Sequence, residues 1–265
     1  LCHTPTMLID THCHLDFPDF DPDRAAVLRR ARLVGVEQIV VPSITVDNFE
    51  RVLELCATDS RLYPALGLHP CFSHDPVSDL ERLDKALSQT KGQVVAIGEI
   101  GLDFRPEYAS PEQLRVQEQL FKAQLQLAKV HELPVLIHAV KAHDQVLKWL
   151  RQYQLPRSGI IHAFSGSEQQ AREYAKLGFK LGFGGAVTYE RAQKLRRLAA
   201  ELPLEWQVLE TDAPDMPLQQ YPGQPNEPAR VAEVAALIAE LRNESVEHIA
   251  AVTTATAEQL LGLSA

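Results

Sequence analysis

The stretch IDTHCHLD, residues 9–16, sets His12 and His14 two positions apart, straight after the apolar pair Leu8-Ile9. On an extended strand, residues i and i+2 share a face, so both imidazoles can grip one ion while Cys13 points away. Imidazoles and carboxylates are good donors to zinc, manganese and related divalent ions. Groups of the same kind recur at the ends of other short apolar runs: His69 after LYPALGL, Glu99 in VVAIGEIG, His138 in PVLIHAV, His162 in GIIHAF and Asp212 in WQVLETD. His12, His14, His138, His162, Glu99 and Asp212 together exceed what one four-coordinate ion needs. A carboxylate can bridge two ions, which in two-metal hydrolases lie about 3.5–4 Å apart, and Glu99 is placed to do so. Each residue alone has an ordinary alternative, such as a hydrogen-bonded core histidine, a paired buried carboxylate or a turn-capping aspartate. Their joint occurrence at matching positions points to a metal centre.

Those positions belong to a rhythm. Eight short β-rich runs (7–12, 38–44, 62–69, 94–101, 134–140, 159–164, 179–185 and 206–212) alternate with segments of helical period such as 23–34, 111–131 and 189–202, and two further helical stretches follow at 228–242 and 246–262. The runs are mostly continuously apolar, as in parallel sheets covered on both faces. Eight β-α repeats in 265 residues fit an α/β fold of the (β/α)8 TIM-barrel type, whose active groups project from the C-terminal strand ends. The competing doubly wound sheet expects G-x-G-x-x-G after its first strand, where this chain reads HLDFPDF (14–20). A single domain over residues 7–265 is expected, with LCHTPT (1–6) before Met7 as an upstream extension. The proline- and glycine-rich segment 216–228 would lie over the barrel mouth.

The net charge of −9 argues against broad attraction to nucleic acid, so any such contact is local or carried by metal ions. No run approaches the roughly 18 apolar residues of a membrane span, and no signal peptide opens the chain. The four cysteines, Cys2, Cys13, Cys56 and Cys71, show no paired spacing, which suits a reducing cytoplasm. No membrane partner and a monomeric state are expected. G-x-S-x-G, H-E-x-x-H and the P-loop pattern are absent from the sequence, so no rival nucleophile or phosphate motif competes.

The segments IDTHCHLD, GLHP, AIGEIGLD, LPVLIHA, IIHAFSGS and VLETDAPDMP, followed by NEPARV, together resemble the TatD-type metal-dependent deoxyribonucleases of the amidohydrolase superfamily. The resemblance runs from about residue 8 to the last helix. It implies His12, His14, Glu99 and Asp212 around one metal, and Glu99, His138 and His162 around a second. Related barrels of the phosphotriesterase and dihydroorotase type bridge their metals with a carboxylated lysine at the strand-four end, whereas Glu99 stands there in this chain. Three positions depart from the family pattern. Ala139-Val140-Lys141 replaces Ser or Thr followed by Arg, Cys71 follows GLHP in place of a second histidine, and Pro225 precedes NEP in place of arginine. All three remove groups that could bind phosphate and leave the metal ligands intact.

The function expected from this is a divalent-metal-dependent hydrolase, a phosphodiesterase or 3′–5′ exodeoxyribonuclease using a metal-bridging hydroxide. Its cofactors are two divalent ions, with Zn, Mn, Mg, Co and Ni not distinguished by the donor set. The substrate is a nucleic-acid end or a small phosphoester. Asp212, with Glu99, carries the chemistry by orienting the water and accepting its proton. The alternatives are hydrolysis of another ester, including D-aminoacyl-tRNA deacylation, and a non-catalytic metal-binding barrel. His69 and Lys141 are expected at the substrate, with His143 near an anionic group or at a solvated helix start. Asp10 and Asp16 are expected either to orient the imidazoles or to serve as turn residues. His74, His131 and His248 are expected at the surface, and Lys194, Arg196 and Arg197 on an exposed helix face.

Overall fold

The structure is a computed structural model that describes residues 6–263; the extension expected at residues 1–6 therefore lies, for 1–5, outside the described residues. In chain order the strands are β1 (Leu8–Asp10), β2 (Val36–Pro42), β3 (Leu62–Leu66), β4 (Ala96–Asp103), β5 (Val135–Val140), β6 (Gly159–His162), β7 (Lys180–Phe183) and β8 (Gln207–Leu209). The α-helices among the described residues are α1 (Arg24–Leu33), α2 (Phe49–Ala57), α3 (Ser78–Gln89), α4 (Pro111–His131), α5 (His143–Tyr153), α6 (Glu168–Lys176), α7 (Gln193–Glu201), α8 (Val231–Arg242) and α9 (Val246–Leu261). The strands form one sheet in the order β1 to β8, and the alternation is that of a (β/α)8 barrel. No helix is long and apolar enough to cross a membrane.

The chain divides into two compact units. The first comprises Leu1–Val41, Asp59–Leu62 and Gly182–Ala265, and the second Pro42–Thr58 and Tyr63–Leu181. In the first unit β1 pairs in parallel with β2, and the Thr11 N–H donates to Leu209 O at 3.0 Å, bringing β8 onto β1. Strands expected at 7–12 and 206–212 stop early, at Asp10 and Leu209, because side chains take over from the ladder. The buried Asp10 carboxylate accepts from the Thr211 N–H (3.0 Å), the Thr211 hydroxyl (2.6 Å) and the His12 N–H (3.2 Å). The two extensions stay joined through a bridge between Cys13 and Ala213, with the Asp212 N–H donating to His12 O at 2.8 Å.

In the second unit β3 to β7 form parallel ladders, and β4 is buried along its whole length. The β4–β5 register slips between Ile97 and Ile100, the span that contains Gly98 and Glu99, and such irregularities re-aim a side chain. Close approach of the strands dictates glycine at two points. A Cβ on Gly67 would lie 2.9 Å from Gly98 N, and one on Gly101, whose φ is +149°, would lie 1.9 Å from His138 O.

Helix α4 matches its expected bounds because its start is fully written in the sequence. Ser110 and Gln113 form a reciprocal capping box and Pro111 stands in the first turn. Its buried face includes Leu120, Phe121, Leu125 and Ala128, and each large apolar side chain so buried contributes roughly 1.5–3 kcal/mol. The same face carries two buried glutamines seven positions apart. Gln124 accepts from the Leu68 N–H (2.8 Å) and donates to Leu68 O (3.2 Å). Gln117 accepts from the Asp103 N–H (2.8 Å) and donates to the carbonyls of Asp103 (3.0 Å) and Tyr108 (2.8 Å). These amides act as substitute strand partners where the β3 and β4 ladders end. Replacing Gln124 by leucine leaves the Leu68 N–H and C=O unpaired in the interior, so Gln124→Leu is expected to lose about 2–4 kcal/mol, read as a lower urea midpoint at unchanged m-value.

Candidate metal centre

In the first unit, three of the expected ligands meet. Nε2 of His12 and Nε2 of His14 lie 3.7 and 3.4 Å from the same oxygen, Oδ1 of Asp212. Two donors bound to one ion at about 2.1 Å would be roughly 3.0–3.4 Å apart, so these imidazoles and this carboxylate suit a shared ion with little movement. The His12 and His14 rings stand edge to face at 5.1 Å, and His14 stacks on Phe17 at 4.7 Å. Cys13, between them, is fully buried, and burial holds its thiol well above the usual range.

Asp212 has φ +59°, in the left-handed region that aspartate tolerates better than most residues. Its loop is pinned by the buried Asn226, which donates to Thr211 O (3.0 Å) and Met216 O (3.1 Å). Asp10, expected to orient the imidazoles, instead ties the backbone of His12 to Thr211, and burial pushes its carboxyl up to about 8 against those hydrogen bonds. Asp16 is buried as well.

In the second unit the organising atom is Oε1 of Glu99, on a side chain only 2% exposed. His138 Nδ1 lies 3.0 Å from it, His69 Nε2 3.2 Å and His162 Nε2 3.9 Å. The Glu99 N–H donates to Ser43 O at 2.9 Å, and the Ser43 hydroxyl donates to Gly67 O, so Ser43, just past β2, ties the end of β3 to the Glu99 position on β4. The Cys71 N–H donates to His69 Nδ1 at 3.0 Å. That leaves the His69 proton on Nε2, toward Glu99.

The far edge of His138 is gripped by residues that the sequence reading did not single out. Nε2 lies 2.7 Å from Oδ2 of the buried Asp103, and Arg105 closes on that carboxylate through Nε and its terminal nitrogen, at 2.6 Å for the shortest contact. Burial opposes charge on both partners, but the hydrogen bonds outweigh it. Asp103 is held well below the usual carboxylate range by His138 and Arg105, and His138 well above the usual imidazole range by Asp103, Cys71 and Glu99. The available signal was the spacing in EIGLDFR, with Asp103 four and Arg105 six residues beyond Glu99.

Other expected residues stand apart from these clusters. Lys141 is exposed at the end of β5, with φ +53°. His143 is buried, with Nδ1 3.0 Å from the Tyr174 hydroxyl and Nε2 3.2 Å from Ser165 Oγ, rather than at a solvated helix start. The His74 side chain is 1% exposed, and its Nε2 lies 2.7 Å from His69 O, so it belongs to the interior rather than the surface. His131 meets Asp84 at 2.6 Å and His248 is exposed. On α7, Arg197 pairs with Glu201, and Arg196 donates to Val187 O.

A family model described as TatD related DNase matches residues 9–262. The Escherichia coli K12 protein named "Uncharacterized metal-dependent hydrolase YjjV" is 48% identical over 91% of this chain and 93% of its own length. The human protein named "Deoxyribonuclease TATDN3" is 34% identical over 96% of this chain and 94% of its own. The crystal structure of YjjV, described as a TatD homolog, superposes with a TM-score of 0.92 at 46% identity, covering 97% and 98% of the two chains.

The buried Asp103–His138 pair sets a pH dependence for the metal-free protein. The lowered Asp103 pKa contributes stability that is complete above its unfolded value, near 4, and is lost as pH falls through the folded one. The raised His138 pKa contributes stability that is complete below about 6.5 and is lost as pH rises through its folded value. Asp103→Asn is therefore expected to cost about 3 kcal/mol at pH 6 and to flatten the acid limb of the urea-midpoint profile.

Proposed function

The chain belongs to the TatD-related DNase family, and we propose that it hydrolyses phosphodiester bonds at nucleic-acid ends as a divalent-metal-dependent 3′–5′ exodeoxyribonuclease, working as one (β/α)8 catalytic domain. One observation carries the reading: in each unit a single carboxylate oxygen is faced by two or more imidazoles, Asp212 Oδ1 in the first and Glu99 Oε1 in the second. Such sets suit divalent ions of the zinc, manganese, cobalt and nickel class. In this reading His12, His14, Glu99 and Asp212 hold one ion, and Glu99, His138 and His162 the other. When bound, the ions supply Lewis acidity, lowering the pKa of water and offsetting charge on the phosphoryl oxygens.

The chain's own groups do the rest. The Asp212 carboxylate, aimed by its left-handed backbone and the Asn226 clamp, orients the attacking water and accepts its proton. Asp103, fixed by Arg105, keeps the His138 ring turned so that Nδ1 faces the Glu99 side. His69, with Nε2 3.2 Å from Glu99 Oε1, steadies the carboxylate. The exposed Lys141 ammonium is available to a phosphate farther along the strand, local positive charge of the sort a chain of net charge −9 needs.

The test is a 5′-labelled single-stranded DNA oligonucleotide incubated with protein loaded in turn with manganese, magnesium, cobalt, nickel and zinc. Stepwise mononucleotide release is expected from the 3′ end, abolished by chelation. Glu99→Ala and His162→Ala are each expected to slow it by at least ~100-fold, with metal content reduced and circular dichroism unchanged. Release from no metal form, with phosphomonoesters and aminoacyl esters turned over instead, would shift the assignment to a small ester. Inertness on every substrate would sink the hydrolase reading.

A further inference from the structure

On the side of His69 and His138 turned away from Glu99 stands Cys71, and one donor atom from each of the three lies within 4.8 Å of the others. We propose that Cys71, His69 and His138, completed by Asp103, form a separate thiolate site for soft divalent ions such as zinc and cadmium. We further propose that filling it withdraws His138 from the Glu99-centred set. This second clause rests on the function proposed above; the site itself does not.

The ring nitrogens are already sorted for it. Glu99 Oε1 faces His138 Nδ1 at 3.0 Å and His69 Nε2 at 3.2 Å, so each ring keeps its proton on that side. The opposite nitrogen of His69 is left as a lone-pair donor, and that of His138, whose proton now faces Asp103, becomes one when that proton leaves. His69 Nδ1 already offers its lone pair to the Cys71 N–H at 3.0 Å. His138 Nε2 lies 2.7 Å from Asp103 Oδ2, which is 3.2 Å from Cys71 Sγ. Two nitrogens, one sulfur and one oxygen make a four-coordinate set that favours zinc over magnesium or manganese. A carboxylate gripping the far nitrogen of each ligating imidazole is the usual support for such a ligand, and here Glu99 serves both rings. Bonds of about 2.0–2.3 Å need donor separations of roughly 3.3–3.8 Å, so Asp103 Oδ2, now 2.7 Å from His138 Nε2 and 3.2 Å from Cys71 Sγ, moves slightly outward on binding while the other donors, within 4.8 Å of one another, need only small shifts. The thiol proton and the His138 Nε2 proton then pass to solvent, while Arg105 Nε retains Asp103 through Oδ1, now at 3.0 Å.

Access exists as well. Cys71 lines a cavity of about 350 Å³ together with Phe72, His74, Glu107, Tyr108 and Glu112, and its two glutamates favour an entering cation. Because a neutral imidazole has one lone pair, His138 cannot serve this site and the Glu99-centred one at once. An ion held here therefore competes with catalysis.

The experiment uses the whole chain stripped of metal and titrated with cobalt(II). A thiolate-to-cobalt charge-transfer absorption is expected in the near ultraviolet, saturating at one equivalent, displaced by zinc and not by excess magnesium. Cys71→Ser and Cys71→Ala should both lack it and bind zinc at least ~10-fold more weakly. No such absorption in the wild type, or its survival in both variants through another thiol, overturns the site. With manganese-supported nuclease activity, stoichiometric zinc should inhibit the wild type and spare Cys71→Ser. Equal effects on both overturn the competition. The absorption is read whether or not any oligonucleotide is cleaved, so failure of the nuclease assignment remains distinguishable.

Discussion

A carboxylate almost wholly removed from water, Glu99 on β4, constrains much of its unit. Burying an ionised group costs several kcal/mol unless it is closely compensated. Here the compensation comes from imidazoles of three other strand ends: His69 after β3, His138 on β5 and His162 on β6. The requirement propagates outward. His138 must present Nδ1, so its other nitrogen needs an acceptor; Asp103 supplies it and in turn needs the guanidinium of Arg105. One buried charge thereby fixes a chain of partners that ends at the half-exposed Arg105.

Both units meet a second constraint in the same way. Donor side chains reach an open strand end only where the ladder stops, and the backbone groups freed there must still find partners. In the second unit, α4 sends Gln124 and Gln117 to Leu68 and Asp103. In the first, Asp10 and Asn226 take the same part for Thr211, His12 and the loop carrying Asp212. Polar side chains buried beside a site of this kind are structural acceptors and donors first. Their own chemistry is suppressed by burial, as with the carboxyl of Asp10 and the thiol of Cys13.

Much of the element order was legible in one dimension. All eight strand runs and α4, with its capping box and leading proline, can be read locally, because their determinants lie within a few residues of each other. So can the ligand candidates, since histidines at strand ends announce themselves by type and place. Boundaries were less legible: β1 and β8 stop short because Asp10 bonds Thr211, 201 positions farther along the chain. The supporting polar residues escaped for a related reason. Gln117, Gln124 and Asn226 look like any solvated amide, and His74 reads as a loop residue until its ring is found against the His69 carbonyl.

The sequence by itself determined the alternation of strands and helices, the family, and which imidazoles and carboxylates could ligate a metal. Those follow from residue type and local period. Only the tertiary structure decided which nitrogen of each ring faces a carboxylate, which amides close the strand ends, and that Cys71 stands between two histidines. Hydrogen-bond direction and donor separation depend on side chains brought together from distant parts of the chain, and no local pattern encodes them.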